Sequence, residues 1–194
     1  MKAVPEATEY PRTIGKDGKL KVTRKNDWTE GFYPGCLWYV YEYTNKEDWK
    51  KAAIKWTESL EPLKKMTNHH DIGFLMYCSF GNAYRLTGNE AYKDVLVESA
   101  RSLCTRFNEK TGCIKSWNYR KSWNGKDEWF YPVIIDNMMN LELLYFATKV
   151  TGDSVYAKVA NRHAETTAKN QFREDYSNYH VVNSVSYTHL RAHE

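Results

Sequence analysis

Two short runs of residues place an acidic side chain where proton transfer could occur. Asp71 lies in residues 68–74 and Asp136 in residues 131–140, each at the mouth of a strongly apolar helix with aromatic residues around it. Two carboxylates at matching places in a repeated architecture are the raw material of acid/base chemistry on a sugar. The two runs therefore indicate a site for carbohydrate chemistry.

Composition narrows the class of protein. The chain has 194 residues, enough for one domain with a real core, and 15% of them are aromatic. Flat rings suit sugar stacking, although rings also fill cores. The net charge of +4 is mild and the cations are scattered, so we expect no nucleic-acid partner. No run approaches a membrane span, and no cysteine pair has metal-type spacing. We expect no membrane partner, metal or cofactor, and the oligomeric state stays open.

A turn sequence that occurs three times gives the architecture. Thr44, Thr87 and Thr151 each follow an apolar helix and precede an amphipathic one. Gly88 and Gly152 can end a helix in the left-handed conformation. A repeat of this length indicates an array of helical hairpins, and the alternation of fully apolar and striped helices predicts inner and outer layers. The predicted fold class is all-α, an α/α toroid with little sheet.

The repeat also predicts where the two aspartates lie. Asp71 precedes Thr87 by 16 residues and Asp136 precedes Thr151 by 15, so both are expected to begin inner helices on one rim. Trp28 holds the corresponding place in the first hairpin. The alternative is that each aspartate caps its helix, a role that is compatible with catalysis.

A long loop at about residues 108–134 interrupts the third repeat. Loops longer than about a dozen residues in a compact domain are often functional. This one interleaves tryptophans with cations, a mixture that suits stacking on a sugar ring and holding an anionic group. Single-stranded nucleic acid is the alternative ligand, disfavoured because the rest of the chain lacks a basic groove. The residues are Trp117, Trp123, Trp129, Lys115, Arg120, Lys121 and Lys126.

The chain resembles glycoside hydrolase family 88, the unsaturated glucuronyl hydrolases, from about residue 10 to residue 182. The resemblance rests on residues 27–35, 70–74, 116–118 and 132–142. It implies an (α/α)6 barrel of six hairpins, of which about half is present here.

The resemblance implies an unusual hydrolysis. The substrate would be a glycosaminoglycan oligosaccharide that a lyase has left with a 4,5-unsaturated glucuronic acid at its non-reducing end. Hydration of the C4=C5 vinyl ether gives a hemiketal, which opens and releases the next sugar. The resemblance implies Asp136 as the acid and base, with Asp71 as its support. Substrate-binding roles are implied for Trp28, His70, Trp117 and His180.

The ends of the chain depart from the family pattern. We expect a partial glycosidase domain at 1–182, followed at 183–194 by a non-native read-through tail without helical pattern. Met1 is expected to be an internal start, which leaves the compartment open between the cytoplasm and, if a signal peptide was lost, the periplasm. Half a toroid would expose apolar helix faces and favour aggregation. The resemblance also implies that residues that grip the substrate carboxylate and ring lie beyond the C-terminal break, so we expect this polypeptide to be poorly active or inactive.

Two other functions stay open at this stage. An unsaturated rhamnogalacturonyl hydrolase shares the barrel, although residues 134–139 favour the glucuronyl type. A non-catalytic helical-repeat module that binds sugar or protein is the other, and it predicts that Asp136→Asn leaves function unchanged.

Overall fold

The computed structural model describes residues 7–24, 27–184 and 190–193, the last by their backbone alone. Its α-helices are α1 Phe32–Thr44, α2 Glu47–Glu58, α3 Ile72–Met76, α4 Asn82–Thr87, α5 Glu90–Cys104, α6 Leu141–Thr151 and α7 Val155–Gln171. A π-helical segment, Tyr77–Gly81, joins α3 to α4. Two 3-10 turns lie at Glu61–Lys65 and Ile135–Asn140.

Short antiparallel strands fill the connections. The pairs are β1 Glu9–Ile14 with β2 Leu20–Arg24, β3 Phe107–Asn108 with β4 Cys113–Ile114, and β5 Arg120–Lys121 with β6 Glu128–Trp129. A three-stranded sheet contains β7 Pro132–Ile134, β8 Val181–Ser184 and β9 Leu190–His193, with Val133 opposite Val182. All three residues of β7 are buried, so no period-two pattern marked this strand in the sequence.

The same turn geometry ends the first helix of each hairpin. The threonine hydroxyls donate to carbonyl oxygens four residues earlier at 2.6–2.7 Å, in Thr44, Thr87 and Thr151. The residue after each threonine is left-handed, with φ of 52° at Asn45, 66° at Gly88 and 75° at Gly152. Positive φ suits glycine because it has no Cβ. The predicted hairpin repeat is confirmed.

The chain divides into two compact units. The first comprises residues 1–65 and 74–99, and the second comprises 66–73 and 100–194. In the first unit Tyr10 is fully buried, stands edge-on to Trp56 and shares a hydrogen bond of 2.6 Å with the Ser59 hydroxyl. Burial raises the pKa of Tyr10 to about 12. These contacts attach the β1–β2 hairpin to α2.

The second unit packs the α6–α7 hairpin with the three-stranded sheet. Tyr131, Val133 and Val182 form a buried cluster with Cys113, and the Gln171 amide donates to the Val133 carbonyl at 2.9 Å. Since β7 leads directly into the turn that contains Asp136, this core fixes the backbone on which Asp136 stands.

Half of the predicted tail lies outside the described residues, namely 185–189 and 194, as do Met1 and the five residues after it. Of the remainder, residues 190–193 pair with β8 through their backbone. The division at residue 182, the internal start and the compartment stay predictions.

His163 on α7 is a fully buried histidine in the second unit. Its Nδ1 accepts the Ile114 backbone N–H at 3.1 Å. Burial lowers the pKa of His163 from 6.5 to about 4. The folded chain therefore keeps this ring neutral at pH values where an unfolded chain would protonate it.

We expect the free energy of unfolding to fall as the pH is lowered from about 7 to about 4. In this window the unfolded state takes up a proton at His163 and the folded state does not, so stability is complete above pH 6.5 and declines toward pH 4. The contribution is roughly 3 kcal/mol. Urea denaturation at several pH values measures it. His163→Asn keeps an acceptor for Ile114 and should remove this component, and an equal pH dependence in both proteins would contradict it.

Candidate active site

His70, Asp71 and Asp136 come together in the second unit. His70 Nε2 lies 3.0 Å from Asp71 Oδ1 and 3.4 Å from Asp136 Oδ2. One ring nitrogen of His70 and one carboxylate oxygen of each aspartate all lie within 4.8 Å of one another. Only 1% of the His70 side chain is exposed, whereas Asp136 exposes 30% of its side chain. Asp136 is therefore the member of this cluster that a ligand can reach most readily.

Different local structures position the two aspartates. Asp71 stands directly before α3, as the prediction of an inner-helix start requires. Asp136 is the second residue of the 3-10 turn Ile135–Asn140, and α6 begins only at Leu141. The predicted helix start must be corrected for Asp136, because β7 delivers the chain into the turn.

The hydrogen bonds do not support the capping alternative. Asp71 meets the ring nitrogens of His69, at 3.1 Å, and His70. Asp136 Oδ1 is buried and has no hydrogen-bond partner in the described part of the chain, which leaves Oδ2, beside His70, as the oxygen open to a ligand. Within the described ranges, neither carboxylate accepts a backbone N–H. Both acids are therefore held by histidine rather than by a helix end.

Gly73 allows the start of α3 to approach the 3-10 turn that carries Asp136. A Cβ atom at this position would lie only 2.3 Å from Asn140 Oδ1 and 2.4 Å from Asn140 Cβ. Asn140 in turn donates its amide N–H to Asn137 Oδ1 at 3.1 Å. Because no larger residue fits, Gly73 holds the start of α3 against the turn that carries Asp136.

The Ser116 carbonyl fixes the orientation of His70. It accepts the His70 backbone N–H at 3.1 Å, His70 Nδ1–H at 2.9 Å and an Arg106 N–H at 3.2 Å. The Ser116 hydroxyl accepts N–H groups from Ile134, at 2.9 Å, and from the Asn137 amide, at 3.0 Å. Ser116 therefore ties His70 to the segment that carries Asp136.

Arg106 is a buried cation beneath this network. Its guanidinium donates to the carbonyls of Lys115, at 2.8 Å, Thr67 and Ser116. Burial lowers the pKa of Arg106, while the charges of Tyr131 and Asp71 act in the opposite direction. Arg106 thus supplies positive charge near Asp71 and holds the carbonyl that His70 uses.

The hydrogen-bond pattern places one proton within the cluster. A carbonyl oxygen only accepts, so His70 Nδ1 must carry a hydrogen. Nε2 then faces two carboxylate oxygens, which also only accept when ionised. A proton must therefore reside on Nε2 or on one of the two carboxyl groups. A small divalent cation would compete for the same three donor atoms, and the expectation that no metal is needed stays a prediction.

An aromatic wall adjoins the cluster in the second unit. The His70 ring stands edge-on to Trp117 at 6.1 Å between centroids, and Trp117 stands edge-on to Trp123 at 6.3 Å. Trp123, which is 55% exposed, stacks on His180 at 5.7 Å. The His180 carbonyl accepts the Ile135 N–H at 3.0 Å, so His180 lies next to the turn that contains Asp136.

Five of the six predicted site residues thus lie together, and Trp28 belongs to the first unit. Trp28 is 46% exposed, packs edge-on against Phe32 and carries the Arg12 guanidinium over its ring at 5.0 Å. The substrate contacts of all these side chains stay predictions. For His70 the burial favours an indirect role, in which the ring positions the two acids.

Sequence reasoning missed several residues of this arrangement. Ser116 and Gly73 lie in runs that carried the family resemblance, but nothing in those runs marked a carbonyl or a close approach as important. Arg106 had no signal, because it stands alone at the end of an amphipathic helix. Trp123 was recognised as a loop aromatic, although its stacking on His180 depends on a contact across 57 residues.

Comparison with known proteins gives consistent results. A sequence model of glycosyl hydrolase family 88 matches residues 5–193. The unsaturated glucuronyl hydrolase of Formosa agariphila is 47% identical over 180 residues, covering 91% of this chain and 44% of that protein. The chain thus spans less than half the length of this relative.

Solved structures agree with these sequence matches. A crystal structure of an unsaturated glucuronyl hydrolase specific for heparin superposes with a TM-score of 0.89 and 40% identity, covering 97% of this chain and 50% of that one. A variant of the Streptococcus agalactiae enzyme complexed with dGlcA-GalNAc6S gives a TM-score of 0.71 and 30% identity, covering 89% and 40%. The fold class, all-α with about half of an (α/α)6 barrel present, is confirmed.

None of the helices in the described part of the chain has both the length and the apolarity needed to cross a bilayer.

Proposed function

The chain belongs to glycoside hydrolase family 88, and from this premise we propose that its site removes 4,5-unsaturated glucuronic acid from the non-reducing end of lyase-generated glycosaminoglycan oligosaccharides. The observation that carries the proposal is the contact of one histidine nitrogen with two carboxylates, which holds a transferable proton beside an aromatic wall. Relatives named as unsaturated glucuronyl hydrolases support the same reaction.

The proposed reaction starts with proton transfer to carbon. The protonated Asp136 carboxyl gives its proton to C4 of the vinyl ether, which leaves a cation shared between C5 and the ring oxygen. Water adds its oxygen to C5 and gives a proton back to Asp136, so the site is restored. The C5 hemiketal opens to a ketone, and the hemiacetal formed at C1 expels the next sugar as an alcohol. One water molecule is consumed in total.

The neighbouring residues have separate tasks in this scheme. Asp71 stabilises the positive charge that develops on the sugar ring and on His70. His70 is a positioning residue that passes a proton among the acids without touching the substrate, since only 1% of its side chain is exposed. Trp117, Trp123 and His180 present the surface against which the sugars pack.

We expect the 194-residue polypeptide alone to turn over unsaturated disaccharides at least about 100-fold more slowly than a complete family member. The chain covers 44% of the length of a 47% identical relative, and the expected slow rate reflects substrate contacts that we propose the rest of that length supplies. The measurement is the loss of ultraviolet absorbance of the conjugated double bond in a chondroitin-derived disaccharide.

A chimera supplies the control for that measurement. In it this chain replaces the matching 180 residues of the 47% identical relative. Turnover by the chimera and slow turnover by the chain alone would support both parts of the proposal. A chain as fast as the chimera would contradict the expected impairment. A chimera that hydrolyses pectin-derived but not chondroitin-derived disaccharides would instead favour the rhamnogalacturonyl activity.

A further inference from the structure

Arg120 lies over the aromatic wall. Its guanidinium carbon is 4.8 Å from the Trp117 ring centroid and 5.8 Å from that of Trp123. Arg120 belongs to β5, where it pairs with Trp129 of β6. A guanidinium against tryptophan faces is favourable in itself, and it leaves the N–H groups in the guanidinium plane free to donate.

Within the ranges that the structure describes, no acidic group forms an ion pair with Arg120. None of their carboxylates lies within 4.0 Å of its guanidinium, and its side chain makes no hydrogen bond there. The acidic side chain on the paired strand, Glu128, instead accepts the Tyr119 hydroxyl at 2.8 Å. Arg120 is partly buried, so its charge is less well solvated than that of an exposed lysine. Arg120 thus presents a positive charge whose N–H groups have no acceptor among the described residues.

The position of Arg120 connects it with the acid cluster. Trp117, over which it lies, is in edge contact with His70, and His70 contacts both aspartates. A substrate that reaches Asp136 and extends past Trp117 would therefore bring its substituents toward the guanidinium.

We propose that Arg120 binds an anionic oxygen group of the substrate, either the carboxylate of the unsaturated uronic acid or a sulfate ester on the adjoining sugar. Guanidinium groups match both, because two parallel N–H groups can meet two oxygens. This inference rests on the proposed function for the identity of the ligand, but the anion site itself does not require turnover.

The test is binding by the 194-residue chain, followed through its tryptophan fluorescence, with Asp136→Asn as the common background so that no ligand is consumed. Four ligands are compared: an unsulfated unsaturated chondroitin disaccharide, its 6-sulfated form, the methyl ester of the unsulfated disaccharide, and inorganic sulfate. The variants are Arg120→Met, which keeps the apolar stem, and Arg120→Lys, which keeps the charge without the fork. Lys121→Met is the matched control, since it removes the same charge from the next residue of the strand, which is exposed.

We expect Arg120→Met to raise the dissociation constant of the recognised anion by roughly 10- to 100-fold. The dissociation constant of Arg120→Lys should lie between those of the parent and Arg120→Met, and that of Lys121→Met should equal the parent value. If the parent and Arg120→Met bind the methyl ester equally, the aromatic wall is intact in the variant. The anion that Arg120 binds is then the carboxylate. A loss that occurs only with the 6-sulfated disaccharide assigns the sulfate.

The outcomes separate this inference from the proposed function. If Arg120→Met binds every anion as the parent does, or if Lys121→Met loses as much affinity, the role of Arg120 is overturned while turnover by the chimera still supports the hydrolase. If the parent binds inorganic sulfate through Arg120 but the chimera hydrolyses no unsaturated disaccharide, the anion site stands and the hydrolase proposal fails.

Discussion

Replacing Asp136 by Asn is expected to lower kcat for an unsaturated disaccharide by roughly 10²- to 10⁴-fold, with little change in KM. Asparagine has nearly the same shape but no proton to give to C4 and no basic oxygen to take one from water. The loss of ultraviolet absorbance reports turnover in the chimera, where the parent rate is large enough for such a loss to be measured. Binding of the disaccharide, followed by tryptophan fluorescence, separates chemistry from affinity.

Asp127→Asn is the control for this substitution. Asp127 is an exposed carboxylate in the loop of the aromatic wall, so its removal alters the net charge equally without touching the cluster. We expect its kcat to stay within about twofold of the parent. Turnover that persists in Asp136→Asn would contradict the acid role of Asp136. A variant that binds its ligand as the parent does, with no turnover in either protein, would favour a non-catalytic binding module.

The second large effect is expected at His70, and two near-isosteric variants divide its hydrogen bonds. In His70→Asn the amide can still donate to the Ser116 carbonyl but no longer reaches the carboxylates. In His70→Gln the amide can still donate to the carboxylates but loses the bond to Ser116. Both variants lack the ring that passes the proton, so we expect kcat to fall roughly 100-fold in each.

The pH profile of kcat for the chimera should change in both variants, because each one alters the hydrogen bonds that hold the two carboxylates. His69 and Arg106, the other charged or titratable groups near Asp71, are the same in both variants.

His69→Asn gives the comparison for this pair, because His69 meets Asp71 and not Asp136. We expect a smaller loss of kcat than in either His70 variant. Unchanged pH profiles of kcat in both His70 variants, with only the stability changed, would mean that His70 supports the fold and has no part in the proton transfer.

Local signals made much of the fold predictable. The Thr–Gly turns at Thr87 and Thr151 specify a helix end by side-chain chemistry alone, and the hairpins follow from them. The strand β7 was not predictable in the same way. It is buried on both faces, so its apolar run reads equally well as the start of a helix.

The candidate site was predictable in its acids but not in what joins them. Counting residues from the turns placed Asp71 and Asp136 at matching positions, and the structure brings them to one histidine. The Ser116 carbonyl that orients the ring is a backbone group, and every residue of the chain carries the same kind of acceptor. Its selection depends on how β4 and β7 pack, which no single-sequence pattern reports.

The eight residues 66–73 belong to the second unit although the chain on both sides of them belongs to the first. The hydrogen bonds that anchor this excursion span 46 residues to Ser116 and 66 residues to Asp136. Helices form from local contacts within microseconds, whereas contacts of this sequence separation must wait for long loops to close. During synthesis, His70 and Asp71 leave the ribosome well before Asp136. We therefore expect the chain to form most of its helices before its acid cluster, which should assemble late in folding.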